Sequence, residues 1–204
     1  MTIHKIENVF LDEEVKLINS LIRKNDLEKS NNEYMNRDNH PYGYGVDNQL
    51  GRLQYGIEMT KELSDIVQTL TQRINNLFNL KLSSSGLSCV EYSAEFGEPN
   101  LPVHWDHDSS EIIFNYQLSS TTSWDIGIDK SVYSMEDNSA LVFNPNKYTH
   151  WRPHKKFKEN EYVQMIFFRF TDLDNPSDYS HLDYSLGDPI FDDIKAFRDS
   201  LGTA

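Results

Sequence analysis

Cysteine is almost absent from this chain: Cys89 is the only one in 204 residues. That excludes an intramolecular disulfide framework and any multi-cysteine zinc site. No apolar run approaches the roughly 18 residues that a membrane-spanning helix needs, and no repeat at solenoid spacing is present. The first residues, MTIHKIENVF, have neither the basic start nor the apolar stretch of a secretory signal; a soluble cytoplasmic protein is the expectation. Basic residues are scarce, with 19 Lys and Arg against 32 Asp and Glu and a formal charge of -13. A polyanion is held by neutralising its phosphates with basic patches, so duplex nucleic acid is disfavoured as a partner. A G-x-S-x-G elbow is missing, and Cys89 sits in an apolar run with no neighbouring base, which disfavours serine and cysteine hydrolases.

The residues that are present supply a core. Hydrophobic residues make up 38% of the chain, enough for one domain. Val15, Ile18, Leu21 and Ile22 recur at helical spacing between Asp12 and about Lys24, with Asp12 placed to cap and two acidic residues in the first turn. A stronger helical stripe runs from Thr60 to Phe78 through Leu63, Ile66, Val67, Leu70 and Ile74; it is expected to lie along one face of a sheet. The stretch 30–56, rich in Asn, Gly and Tyr, reads as loop with one short strand at most, and such loops rim sites. From Gly86 the pattern changes to short strand-like runs at 87–92, 111–118, 124–129, 131–135, 139–144 and 161–170. Helices followed by regularly spaced short strands predict a mostly β domain with flanking α-helices, built on a jelly-roll core. The expected layout is a single domain, with helical support and loop over 1–85, the jelly-roll core over 86–170, and over 171–204 a tail wrapped on the domain, ending in a short amphipathic piece around Ile190 to Leu201.

The chemistry concentrates in LPVHWDHDSS. His104 and Asp106 are two residues apart, so in an extended strand both side chains lie on one face and can share a metal ion. A third ligand must come from elsewhere, and His150 follows the strand-like SALVFN and the turn NPNKY. Two imidazoles and one carboxylate leave open positions on the ion, which suits Fe(II) and O2 chemistry better than structural zinc. An HxD pair also arises by chance in a chain with seven histidines; the order strand, HxD, several strands, His, strand is what raises the metal reading above that background. His154 is a rival third ligand, placed behind Pro153; His150 is preferred because it directly follows a strand and turn. His107 and Asp108 fall out of phase with the pair and read as solvated or supporting groups, and His4, His40 and His181 as surface residues.

The stretches CVEYSAEFGEPNLPVHWD, EIIFNYQL, WDIGID, SALVFNPNKYTHWRP and YVQMIFFRF, which span about residues 88 to 170, resemble the 2-oxoglutarate- and Fe(II)-dependent dioxygenase superfamily. The likeness is to its prolyl-hydroxylase-like branch and to phage and bacterial members with an HWR distal motif, and ENVFLDEEVKLINSLI is similar to the start of such enzymes. The resemblance implies a double-stranded β-helix of the jelly-roll or cupin-like kind, with iron on His104, Asp106 and His150. It also implies 2-oxoglutarate as chelating co-substrate beside O2, with succinate and CO2 as products and hydroxylation of a C–H bond as the outcome. It names no prime substrate: small molecules, amino acids and protein side chains all stay open.

The family places a basic residue on the strand after the distal histidine to pair with the 5-carboxylate of 2-oxoglutarate. This sequence departs from that pattern, having no basic residue from Asn160 to Tyr162. Arg152 and Arg169 are the available cations, and either offers the fork a carboxylate prefers. Arg152 ranks first, since an extended backbone puts it on the same face as His150; otherwise it is a surface residue beside Lys155 and Lys156. Arg169, inside the apolar run MIFFRF, needs a partner for its charge. Tyr92 resembles a tyrosine that hydrogen-bonds 2-oxoglutarate in some members, and is equally explained as a core aromatic. Trp105, Trp124 and Trp151 either line the pocket or pack the core, and Glu111 and Asn115 are candidates to support the ligands. Two other functions fit the same residues: a cupin-like metal oxygenase independent of 2-oxoglutarate, and a catalytically silent jelly-roll binding module.

Overall fold

The computed structural model describes residues 3–31, 45–57, 59–106 and 110–174. Helix α1 (Asp12–Asn31) opens with Asp12, Glu13 and Glu14 in its first turn, where the helix dipole favours negative charge; it runs a turn or more beyond the expected end. Helix α2 (Lys61–Phe78) is capped by Thr60, whose hydroxyl accepts the Leu63 amide at 3.2 Å. It closes at Asn79, which takes the left-handed conformation (φ 52°, ψ 49°), one of the few non-glycine residues that do so readily. The predicted stripe Leu63, Ile66, Val67, Leu70 and Ile74 is its buried face.

The strands are β1 (His4–Glu7), β2 (Gly45–Asp47), β3 (Arg52–Gly56), β4 (Leu82–Ser93), β5 (Leu101–His104), β6 (Ile112–Ser120), β7 (Ile126–Ile128), β8 (Ser131–Tyr133), β9 (Ser139–Phe143), β10 (His150–Arg152) and β11 (Tyr162–Asp172). The larger sheet has the order β1-β9-β6-β11-β4-β3-β2 and the smaller β5-β10-β7-β8. From β4 to β11 the chain passes back and forth between the sheets, all pairs antiparallel. This is the expected double-stranded β-helix. Both helices cover the outer face of the larger sheet, where Ile18, Ile22, Leu63 and Leu70 meet Phe114, Tyr116 and Phe168. The inner face packs on the smaller sheet through Val90, Ile126, Ile128, Leu141, Phe143 and Met165. Because β6 and β9 are covered on both faces, every residue from Ile112 to Leu118 and from Ser139 to Phe143 is buried. The sequence of β9 accordingly lacks the clean alternation of a half-exposed strand, whereas β6 still alternates from Phe114 to Leu118 with its polar Asn115 and Gln117 buried.

Several boundaries differ from expectation. Residues 45–56 form the hairpin β2–β3 where at most one strand was expected, since Gly45 to Asp47 are too few to give a periodic signal. Strand β4 starts at Leu82, before the change of composition at Gly86, and β7 and β8 are shorter than predicted. Thr171 and Asp172 still belong to β11, paired with Ser83 and Leu82. The C-terminal piece around Ile190 to Leu201 and the residues His40, His107, Asp108 and His181 lie outside the described residues. Among those described, no helix is long and apolar enough to cross a membrane.

Candidate metal centre

The pairing of the smaller sheet decides the site. His104, the last residue of β5, and His150, the first of β10, are direct partners across the ladder, which holds their side chains within touching distance. Their rings lie 4.1 Å apart between centroids, tilted by 52°. Asp106 is two residues past the end of β5, not on the strand as expected. Its amide donates to the Pro145 carbonyl at 3.2 Å, which fixes the loop. One carboxylate oxygen of Asp106 then sits 3.6 Å from Nε2 of His104 and 3.6 Å from Nε2 of His150. The three donor atoms lie within 4.8 Å of one another.

The imidazoles are oriented for the task. Nδ1 of His104 is 2.8 Å from the Pro102 carbonyl and Nδ1 of His150 3.3 Å from the Tyr148 carbonyl. A carbonyl only accepts, so each Nδ1 carries a proton and Nε2, the nitrogen that faces Asp106, is the one left to bind a metal. Burial, followed by the charge of His150, lowers the His104 pKa to about 3, against a smaller raising effect of Asp106. Burial would raise Asp106, but hydrogen bonding and charge from His150, with help from His104 and Arg169, hold it down to about 2. A divalent metal binds imidazole through a deprotonated Nε2, and a carboxylate in its ionised form. The donor set fits Fe(II), with both imidazole orientations fixed by backbone carbonyls.

Exposure along the inner face of β11 shows where this site opens: Val163 and Met165 are fully buried, whereas Phe167 and Arg169 are partly exposed. Arg152 lies deep, at the level of Met165. Its guanidinium donates to the Trp124 carbonyl, contacts Met165 Sδ at 3.3 Å and stacks 4.8 Å from the Trp124 ring. It is 2% exposed, and burial lowers its pKa to about 10, partly offset by Tyr92 and Asp125; it stays charged at neutral pH. The surface alternative for Arg152 is thus excluded. Among the described residues its hydrogen-bond and ring contacts are neutral and Asp125 acts on it only through its charge, a costly setting for a buried cation.

Arg169 is four residues nearer the mouth, donating to Ser88 Oγ at 2.9 Å. Tyr92 is 1% exposed, edge-on to Trp124 at 5.0 Å. Its hydroxyl is 3.5 Å from Arg52 Nη1, and Arg52 is itself paired with Asp47 at 3.5 Å. Arg52 was missed by sequence reasoning. Its one signal was its place in the Asn- and Gly-rich stretch, and only the β3–β4 pairing, Arg52 opposite Tyr92, puts it on the inner face.

Other candidates are placed elsewhere. His154 bonds to Glu98 at 2.8 Å on the surface. Trp151 and Trp105 gather with Val103 in a separate cluster, Trp151 lying over Gly127, so of the three tryptophans Trp124 is the one that walls the interior. Glu111 is buried and accepts the Asp172 amide at 3.0 Å. Cys89 is buried against the Tyr55 hydroxyl at 3.1 Å.

Comparison of the sequence with family profiles and with curated proteins finds no match. Solved structures do match. A collagen prolyl hydroxylase of Paramecium bursaria Chlorella virus 1, in complex with 2-oxoglutarate, superposes with a TM-score of 0.55 at 14% identity, over 83% of this chain and 96% of that one. A prolyl-4-hydroxylase of Pseudomonas putida gives 0.54 at 14% identity, over 82% and 91%. The chain has the fold of the 2-oxoglutarate and iron oxygenases. HygX of Streptomyces hygroscopicus, with nickel and 2-oxoglutarate bound, gives 0.57 at 10% identity, over 84% and 83%.

Proposed function

We propose that this protein is an Fe(II)- and 2-oxoglutarate-dependent oxygenase that hydroxylates a C–H bond of a small molecule, an amino acid or a protein side chain. The observation that carries the reading is the convergence of His104, Asp106 and His150 at the open end of the barrel, with the buried cation Arg152 deeper on the same strand as His150. In this reading the three residues hold iron, Arg152 holds the 5-carboxylate of 2-oxoglutarate, and Tyr92, between Arg52 and Arg152, flanks the co-substrate.

Iron(II) held there would supply O2 activation, with 2-oxoglutarate oxidised to succinate and CO2 and one substrate C–H converted to C–OH. The chain's own part is positional. Arg152 offers two parallel N–H donors, a fork matched to a carboxylate, and the Trp124 ring and carbonyl fix its plane. Val90, Ile126, Ile128 and Met165 exclude water around it, which strengthens that pairing. The carbonyls of Pro102 and Tyr148 hold both imidazoles in the metal-binding tautomer. The fold likeness supports the reaction class and leaves the substrate open, since one fold hosts many sites. A single buried cysteine in place of disulfides fits a cytoplasmic enzyme.

The test is succinate release from 2-oxoglutarate in the presence of Fe(II) and O2. Turnover in the wild type that disappears in Asp106→Ala supports the reading. O2 consumption that is indifferent to 2-oxoglutarate would favour the cupin-like oxygenase instead, and failure to bind metal the silent binding module.

A further inference from the structure

If 2-oxoglutarate lies between the metal ligands and Arg152, both of its carboxylates are committed, and the inner face of the larger sheet opposite the metal has a different task. Two register rows define that face. Ser88, Phe167 and Asn115 stand side by side on β4, β11 and β6. The next row toward the mouth is Gly86, Arg169, Ile113 and Phe143. Phe143 packs edge-on against the His150 ring at 5.3 Å, so Arg169 stands in the row level with the metal ligands, about 13 Å along the strand from the row of Met165 and Arg152.

Arg169 faces inward at that level. Its Nη1 donates to Ser88 Oγ at 2.9 Å, its guanidinium carbon is 5.9 Å from the Phe167 ring, and its charge reaches Asp106. Gly86 opposite it has no side chain, which leaves room for a methyl group beside the arginine stem. In the neighbouring row Asn115 is 5% exposed and its Oδ1 has no hydrogen-bond partner among the described residues. A buried amide oxygen left unpaired is costly and asks for a donor, such as an ammonium or amide N–H.

Resting on the oxygenase reading above, we infer that Arg169, with the Ser88 hydroxyl beside it, forms a subsite for a free carboxylate of the prime substrate, and that Asn115 Oδ1 accepts an N–H of the same molecule. The substrate class is then a small molecule or chain end whose carboxylate sits across the barrel from the metal, with the reacting C–H between them. A neutral side chain within a folded protein does not meet that requirement; a free amino acid or a peptide C terminus does.

The experiment uses the full chain with Fe(II) and 2-oxoglutarate under anaerobic conditions. Two probe series are titrated by saturation-transfer NMR on the Zn(II)-loaded protein and by perturbation of the Fe(II)–2-oxoglutarate absorption band. One series pairs L-amino acids with their carboxamides; the other pairs short peptides bearing a free C terminus with their amidated forms. The expected result is that at least one acid binds about tenfold or more tighter than its amide, and the series in which it occurs identifies the source of the carboxylate. Arg169→Gln should erase that preference while the band persists, and Arg169→Lys, which keeps the charge, should retain part of it. Acids and amides binding alike in both series, or Arg169→Gln keeping the preference, overturns the inference. Loss of the band in Arg169→Gln with metal still bound overturns it too, by making Arg169 the co-substrate anchor. No band in the wild type removes the oxygenase reading itself, and this inference with it.

Discussion

Gly127→Ala is a small change that the structure expects to be felt at the metal site. A Cβ built on Gly127 would lie 2.1, 2.3 and 2.5 Å from Cε2, Cζ2 and Cδ2 of Trp151. Those atoms belong to the body of a ring that is 4% exposed, so the ring has no free space to swing into. Overpacking of this kind costs about 1–3 kcal/mol, while replacing glycine by alanine returns about 0.4–1 kcal/mol through the unfolded chain. The overpacking wins, and the net loss is about 1–2 kcal/mol, or a fall of about 2–8 °C in Tm for a chain of this size. Trp151 lies between His150 and Arg152, so displacing it shifts the strand that carries both, and Fe(II) affinity should fall about tenfold. Urea unfolding and Fe(II) titration measure the two effects. The double variant Gly127→Ala, Trp151→Leu should show favourable coupling of about 1 kcal/mol or more, because the smaller side chain relieves the clash. A single variant within about 0.5 kcal/mol of wild type with unchanged metal affinity would refute the reasoning, as would strict additivity in the double.

Arg152→Met should separate stability from function. Removing a buried cation whose burial outweighs its attraction to Asp125 should leave the metal-free protein as stable as before or more so. The apparent KM for 2-oxoglutarate should rise about ten- to a hundred-fold, the worth of a charged hydrogen-bond pair; equal 2-oxoglutarate affinity in the variant would disprove the anchoring role. The His104 pKa, lowered to about 3 from 6.5, means that the unfolded chain takes up this proton first. Its contribution to the stability of the metal-free protein is therefore full above pH 6.5 and is lost as the pH falls toward 3. Denaturant midpoints between pH 7 and pH 4 should fall less steeply in His104→Gln than in the wild type, and parallel profiles would count against the buried neutral histidine. Thr60→Ala removes the cap of α2, far from the site, and should cost about 1 kcal/mol with no change in Fe(II) affinity; a metal effect there would contradict the separation of support from site.

The parts of this protein legible in the sequence are those written in local pattern. The stripe of α2 and the punctuation of the later strands survive translation into coordinates because periodicity and turn residues act within a few positions. His104, Asp106 and His150 come together as read, although Asp106 lies beyond its strand and is held by the Pro145 carbonyl. What was not legible depends on pairing partners. Arg52 reaches the inner face only through its register with Tyr92. Trp151 turns away from the interior because its neighbours His150 and Arg152 occupy it. On paper Arg152 ranks above Arg169 as carboxylate anchor only through its phase with His150, and it is the rise in exposure from Met165 to Arg169 along β11 that separates a deep cation from one at the mouth. The fully buried run of β9 hides its two faces from any alternation test, while in β6 Phe114, Tyr116 and Leu118 alternate with Asn115 and Gln117 although both faces are buried.

The central claim is a single metal centre on His104, Asp106 and His150 that also receives 2-oxoglutarate. Anaerobic titration of the protein with Fe(II) and then 2-oxoglutarate, followed in the visible region, tests it most directly. A weak metal-to-ligand charge-transfer band is expected in the wild type and not in a His104→Ala, Asp106→Ala double variant of intact fold. Metal binding without a band, or a band that persists in the double variant, would contradict it.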